Sequence, residues 1–165
     1  MALRALSLAL AAGLAATLVP ARAGTVDVRF DPAAAWTDAG ETAREREATL
    51  AALSATLRAL GSRRPGAQQE LQVTLLDVDR AGSVRPTAFG RQAVRVLRHG
   101  ADGPHIRLQY VLLDQGRELR RGDETLGDLD YGHRAGRADA VLAPEQRLLA
   151  DWFQQRFVAG ADAPQ

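Results

Sequence analysis

The sequence predicts a small α+β domain preceded by an export signal. Three observations carry this: a short basic start and apolar run ending in a small-residue triplet, strand-like alternation in several short segments, and two helical stripes set among them. The expected domain is a five-stranded mixed, mostly antiparallel sheet with two helices packed on one face. Its order is β-α-β-β-β-β-α over residues 24–159, after a cleavable signal at 1–23 and before a disordered tail at 160–165.

The leader begins with Arg4, runs apolar from Ala5 to Val19, and closes on Ala21-Arg22-Ala23, the A-x-A pattern a signal peptidase reads. The run is shorter than the roughly 20 residues a membrane span needs, so it is read as cleaved after Ala23 rather than retained. The expected location is therefore the periplasm.

Thr25 to Phe30 alternates, with Val26, Val28 and Phe30 on one side and Asp27 and Arg29 on the other, as a strand with one wet face requires. Asp31-Pro32 ends it, and a loop through Trp36 leads to a helix. Asp38 and Glu41 have capping-box spacing, Leu50, Leu53, Leu57 and Leu60 form the apolar stripe, and Gly61 is the expected stop. Acidic residues crowd the start and arginines the end, which complements the helix dipole.

After the loop at Arg64-Pro65-Gly66, Leu71 to Val78 reads as the second strand. Its apolar parity slips, since Leu71, Val73 and Leu75 share one face while Leu76 and Val78 share the other, the mark of a bulge or a doubly covered end. Residues 80–92, with Gly82, Pro86 and Gly90, are read as a long loop, and Ala93 to Arg98 as a short strand. Ile106 to Leu113 and Glu118 to Leu126, joined through Asp114-Gln115-Gly116, form the expected hairpin, its second arm charged and exposed. After a polar loop, Pro144 sits in the first turn of a last helix whose stripe is Leu148, Leu149, Trp152, Phe153 and Phe157.

Composition narrows the function classes. There are no cysteines, so disulfides, thiolate chemistry and a lipid-attachment cysteine are all excluded. Of the 21 basic residues two leave with the leader, so 19 face 20 acidic ones and the mature charge is −1. Such a balance exerts no general pull on nucleic acid or on anionic membranes, and no stable membrane insertion is expected after cleavage.

Four stretches taken together resemble a known family: Trp36-Thr37-Asp38-Ala39-Gly40, Leu76-Asp77-Val78-Asp79-Arg80-Ala81-Gly82, Gly122-Asp123-Glu124-Thr125-Leu126-Gly127-Asp128-Leu129-Asp130-Tyr131, and Leu149-Ala150-Asp151-Trp152-Phe153. In their order and spacing they are similar to DUF3016, a secreted proteobacterial family of unknown function. The resemblance covers essentially the whole mature chain and implies a Gram-negative periplasmic setting. It implies no activity, so it transfers no site residue.

The residues themselves offer few candidates. Asp77 with Asp79, and Asp128 with Asp130, lie two apart near strand ends and point two carboxylates one way, with His133 three residues on. A metal-assisted hydrolase built on Asp77, Asp79, Asp128 and His133 is the alternative reading. Against it, aspartates readily end strands, cap turns and pair with arginine, and no calcium-loop spacing is present. His99, His105 and His133 lack zinc spacing, and Ser54, Ser62 and Ser83 lie outside any nucleophile-elbow pattern. The glycines match no phosphate-binding fingerprint, and no metal or cofactor is expected. Trp36 and Tyr131 are candidates for a binding contact, while Trp152 on an apolar helix face belongs to the core. The leading expectation is a non-enzymatic binding or accessory module for a periplasmic protein or small molecule, engaged through the sheet edge or the face left uncovered by the helices.

Overall fold

A computed structural model of the chain describes residues 24–62, 69–87, 93–98, 101–133 and 142–159. The expected leader and tail, the turn at 64–66, His99 and part of the 80–92 loop lie outside these residues.

Strand β1 (Thr25–Phe30) is followed by helix α1 (Ala43–Gly61) and strand β2 (Gln69–Asp79), and β1 pairs parallel to β2 with Val28 opposite Val73. A helix between two parallel neighbours is the crossover the sequence order implies. Strand β5 (His105–Asp114) runs antiparallel to β2, and β6 (Arg117–Gly127) antiparallel to β5, giving the order β1-β2-β5-β6. Gln115 and Gly116 both take positive φ, 50° and 79°, as a two-residue hairpin turn demands of its central pair.

One expectation is corrected. Among the described residues the sheet has four strands, not five: residues Ala93–Val96 form β4, which pairs with β3 (Ser83–Pro86) in a separate two-stranded hairpin. Part of the segment read as a loop is thus a strand. The chain leaving Asp79 cannot pair beside β2, which β1 and β5 already flank, and residues 83–86 and 93–96 pair with each other instead. Pro86, lacking an N–H, sits at the end of its strand, where that loss is tolerated.

The parity slip in β2 is a bulge. Leu75 pairs with Leu108 and Asp77 with Arg107, so Leu76 is the extra residue, and buried positions move from Leu71, Val73 and Leu75 to Val78. A second bulge falls at Leu119 of β6, between the pairs Leu113–Glu118 and Leu112–Arg120.

Helix α1 starts one turn later than Asp38–Glu41 spacing suggests. Thr42 is the N-cap: its hydroxyl accepts from the Glu45 N–H at 3.2 Å while the Glu45 carboxylate accepts from the Thr42 N–H at 3.4 Å. Gly61 does not stop the helix in a left-handed conformation. It is the last helical residue, followed by Ser62 in right-handed geometry, and a Cβ on it would overlap Val26 Cγ2. Glycine stands there because α1 crosses β1 closely.

Helix α2 (Ala143–Phe153) continues into a π turn over Gln154–Val158. Both helices cover one face of the sheet, and the buried set includes Leu53 and Leu57 from α1, Leu71, Val73 and Leu75 from β2, Ile106 and Leu108 from β5, and Leu149 from α2. Burying each such side chain stabilises by roughly 1.5–3 kcal/mol relative to exposure. An aromatic cluster closes one end. In an α-helix residues five apart point about 140° apart, but the wider turn here brings Phe157 beside Trp152 at 5.2 Å, with Tyr110 at 5.3 Å from Phe157 and 5.7 Å from Trp152.

Candidate functional site

The aspartates that the sequence singles out divide between two places. Asp77 lies where β2 resumes after its bulge. One of its oxygens accepts from the backbone N–H groups of Thr37 and Val78 at 2.7 and 2.8 Å, and the other from the Thr37 hydroxyl at 2.6 Å. Asp77 therefore holds the loop before α1 onto the sheet. Asp79 stands opposite His105 on β5 and bridges to Asp38, which runs parallel to it. Burial and then the nearby Asp38 carboxylate raise its pKa above the ordinary value.

Asp38 is the centre of a polar cluster at this end of the sheet. Its two oxygens meet Arg80 Nη2 at 3.2 Å and Arg95 Nη2 at 2.6 Å, while Arg95 Nη1 donates to the carbonyls of Ala81 and Gly82. Beneath it, Glu145 of α2 accepts from the Ala81 N–H at 2.7 Å. These contacts fasten the β3–β4 hairpin to the sheet and to α2. The Asp38, Arg80 and Arg95 charges meet one another and serve construction.

Asp128 and Asp130 follow β6. The Asp128 carboxylate accepts from the Asp130 N–H at 2.9 Å and the His133 N–H donates to the Asp130 carbonyl at 2.9 Å, a turn closed by aspartate. Tyr131 is buried, its hydroxyl donating to the Arg98 carbonyl at 2.9 Å, and burial raises its pKa. His133 is exposed. Trp36 is half-buried, with Phe30 edge-on at 6.3 Å.

The two aspartate pairs thus share one end of the sheet, but β5 lies between their strands, and two strand spacings amount to roughly 10 Å. Among the described residues no group of three or more His, Cys, Asp or Glu side chains is placed to hold a metal ion. The four side chains of the hydrolase reading do not converge.

A different place is open. Strand β6 is the outer strand of the sheet, so among the described residues its far edge carries no partner strand. Beside that edge a cleft of about 340 Å³ runs between residues 124–127 of β6, with Asp128 just beyond them, and Leu148, Asp151, Trp152, Gln155 and Arg156 on α2 and the π turn. Three carboxylates, Glu124, Asp128 and Asp151, line it against one guanidinium. Glu124 accepts from the Trp152 indole N–H at 3.2 Å and from Arg156 Nε at 3.2 Å, which fixes the inner wall. On the opposite face a depression of about 270 Å³ lies over Gly122, bordered by Gln109, Val111, Arg121 and Asp123. On the inner face the Tyr110 ring lies so close to Gly122 that a Cβ there would stand 2.6 Å from its Cε1.

Of the residues picked from the sequence, only Asp128 lines this cleft. Glu124, Asp151, Gln155 and Arg156 carry no motif that marks them along the chain, and Trp152, expected in the core, is buried there as well as lining the cleft. The one legible signal was the charge on the second hairpin arm, typical of an exposed edge.

Fold and site together define a small mixed α+β domain with an uncovered edge strand alongside a carboxylate-lined cleft. The chain belongs to the family described as Protein of unknown function (DUF3016), whose model matches residues 24–155. No curated protein matches it. Among solved structures it is similar to the PelC dodecamer from Paraburkholderia phytofirmans in space group P6, at 14% identity, covering 79% of this chain and 86% of that one with a TM-score of 0.33. It is similar also to a point variant of that dodecamer in space group C2, at 13% identity, 79% and 85% coverage and a TM-score of 0.31. Among the described residues no helix is long and apolar enough to cross a membrane.

Proposed function

We propose that this chain is an exported, non-enzymatic binding module that takes an extended partner segment along the free edge of β6, with the partner's side chains entering the adjoining cleft. The observation that carries the reading is the coincidence of an eleven-residue outer strand with a cleft along the same edge. Strand addition draws affinity from main-chain hydrogen bonds and specificity from pockets beside alternate residues. The carboxylates in the cleft favour a partner segment with basic side chains.

The test is titration of the isotopically labelled chain with a peptide of alternating valine and arginine, followed by amide chemical shifts. The expected response is confined to β6 and to α2, including the Trp152 indole N–H. Shifts centred on β1, or none anywhere in a chain of single mass, would remove the proposal. Export is tested separately by N-terminal sequencing of the chain recovered from the periplasmic fraction, expected to begin at Gly24; an uncleaved cytosolic product contradicts it.

A further inference from the structure

The occupant of this edge can be named more closely, on the footing that β6 is the binding strand. Strand β6 runs Arg117–Gly127, so Gly122 is its midpoint. Around that midpoint the charges read Arg120, Arg121, Gly122, Asp123, Glu124: two cations, a glycine, two anions. The sign inverts through Gly122. A strand with that pattern is complementary to its own antiparallel image, and we infer that the edge of β6 binds β6 of a second copy of this chain about a two-fold axis at Gly122.

In that pairing Arg121 faces the second copy's Asp123 and Arg120 faces its Glu124, and symmetry repeats both contacts. Directly opposed residues share a face with Cβ atoms about 4.5–5.5 Å apart, where opposite charges stabilise and like charges destabilise. The faces agree as well. Arg120, Gly122 and Glu124 pair with Leu112, Tyr110 and Leu108, whose side chains are buried under the helices, whereas Arg121 and Asp123 point to the open face. Opposing Gly122 to itself keeps these two sets in register and puts both helix layers on the same side of one continuous eight-stranded sheet. A slip of one residue would set cation against glycine and turn the helix layers to opposite sides.

The local geometry favours this run of residues. The bulge at Leu119 interrupts the regular strand on one side, so the five charged-and-glycine positions form the unbroken stretch beyond it. On the open face Arg121 holds Glu118, and Asp123 holds Arg107 and Gln109; on the helix side Arg120 donates to the Arg156 carbonyl, and Glu124, 18% exposed, meets Arg156 and the Trp152 indole. The exposed pairs of Arg121 and Asp123 contribute little individually, so exchanging them across an interface costs little, and Glu124 can accept from the second copy's Arg120 while keeping its contacts to Arg156 and Trp152. An isologous two-fold contact of this sort is the commonest route to a closed assembly.

The experiment uses the purified chain and three variants, R120E/R121D, D123R/E124R and the combined R120E/R121D/D123R/E124R, with mass read by light scattering and sedimentation. The wild-type chain is expected at twice its chain mass. Each double variant sets like charges opposite and falls to the single mass; their equimolar mixture returns to the two-chain mass, and the fourfold variant, complementary again, does so alone. Circular dichroism checks that each variant is folded. A wild-type chain of single mass at high micromolar concentration, or a dimer indifferent to both double variants, overturns the inference. If a chain of single mass still shows β6 amide shifts with the valine–arginine peptide, the second-copy assignment fails while the edge reading stands; no shifts at all would remove both.

Discussion

Glu145 and Ala81, 64 residues apart in sequence, are joined by a 2.7 Å hydrogen bond from the Ala81 N–H to the glutamate carboxylate, buried where α2 meets the end of β2. The Glu145 side chain is 1% exposed, and its second oxygen has no hydrogen-bond partner among the described residues. Burial raises its pKa above the ordinary 4.5, opposed by the N–H groups of Ala81 and Glu145 and by the charges of Arg80 and Arg95.

The sign of the resulting pH dependence follows from linkage. A folded-state pKa above the unfolded one means that, above pH 4.5, the folded chain keeps a proton the unfolded chain has released. This contribution to stability is complete below pH 4.5 and is lost as pH rises through the folded pKa. Glu145→Gln keeps an acceptor for Ala81 and cannot ionise, so the difference in Tm between variant and wild type should grow in the variant's favour as pH rises from 4.5 toward neutrality. Thermal unfolding followed by circular dichroism across that range checks it; a constant difference would mean that the carboxyl does not titrate there.

Asp38→Ala removes the carboxylate shared by Arg80 and Arg95 and leaves two largely buried guanidinium groups without it. A loss of about 1–3 kcal/mol is expected. Hydrogen exchange should show amides of β3 and β4 losing protection before those of β2 and β5, because the hairpin is fastened to the sheet through this contact.

Gly61→Ala separates two effects of opposite sign. Helix propensity alone favours alanine by about 1 kcal/mol, but the new methyl would overlap Val26 Cγ2, a stiff β-branched side chain. Packing wins, and a net destabilisation of roughly 1–3 kcal/mol in urea unfolding is the expected result. Adding Val26→Ala should recover part of it, giving a negative coupling between the two sites.

Phe157→Ala empties the middle of the Tyr110–Trp152–Phe157 cluster. A cost of about 3–5 kcal/mol is expected, with a red shift of Trp152 fluorescence as water reaches the ring. Unchanged stability would mean that the π turn does not seat this side chain in the core.

Much of this architecture is legible along the chain, because it depends on neighbours a few residues apart. The period of Leu50, Leu53 and Leu57 fixes the buried side of α1, and the parity change after Leu75 announces the bulge at Leu76 before any partner strand is known. The glycine at 116 marks the hairpin turn, and a strand, a helix and a strand in succession imply the parallel pair β1–β2. What only the folded chain decides are relations between distant segments. Residues 93–96 look like any short strand, and their exclusion from the main sheet follows from β2 already having a neighbour on each side. Gly61 reads as a helix stop until Val26 is seen against it, and nothing along the chain joins Glu145 to Ala81, 64 residues away. The cleft beside β6 joins residues some 30 apart that share no periodic signal. Local periodicity records which side of an element must be dry, whereas strand order and close approach are set by which surfaces remain unoccupied once the rest of the chain has packed.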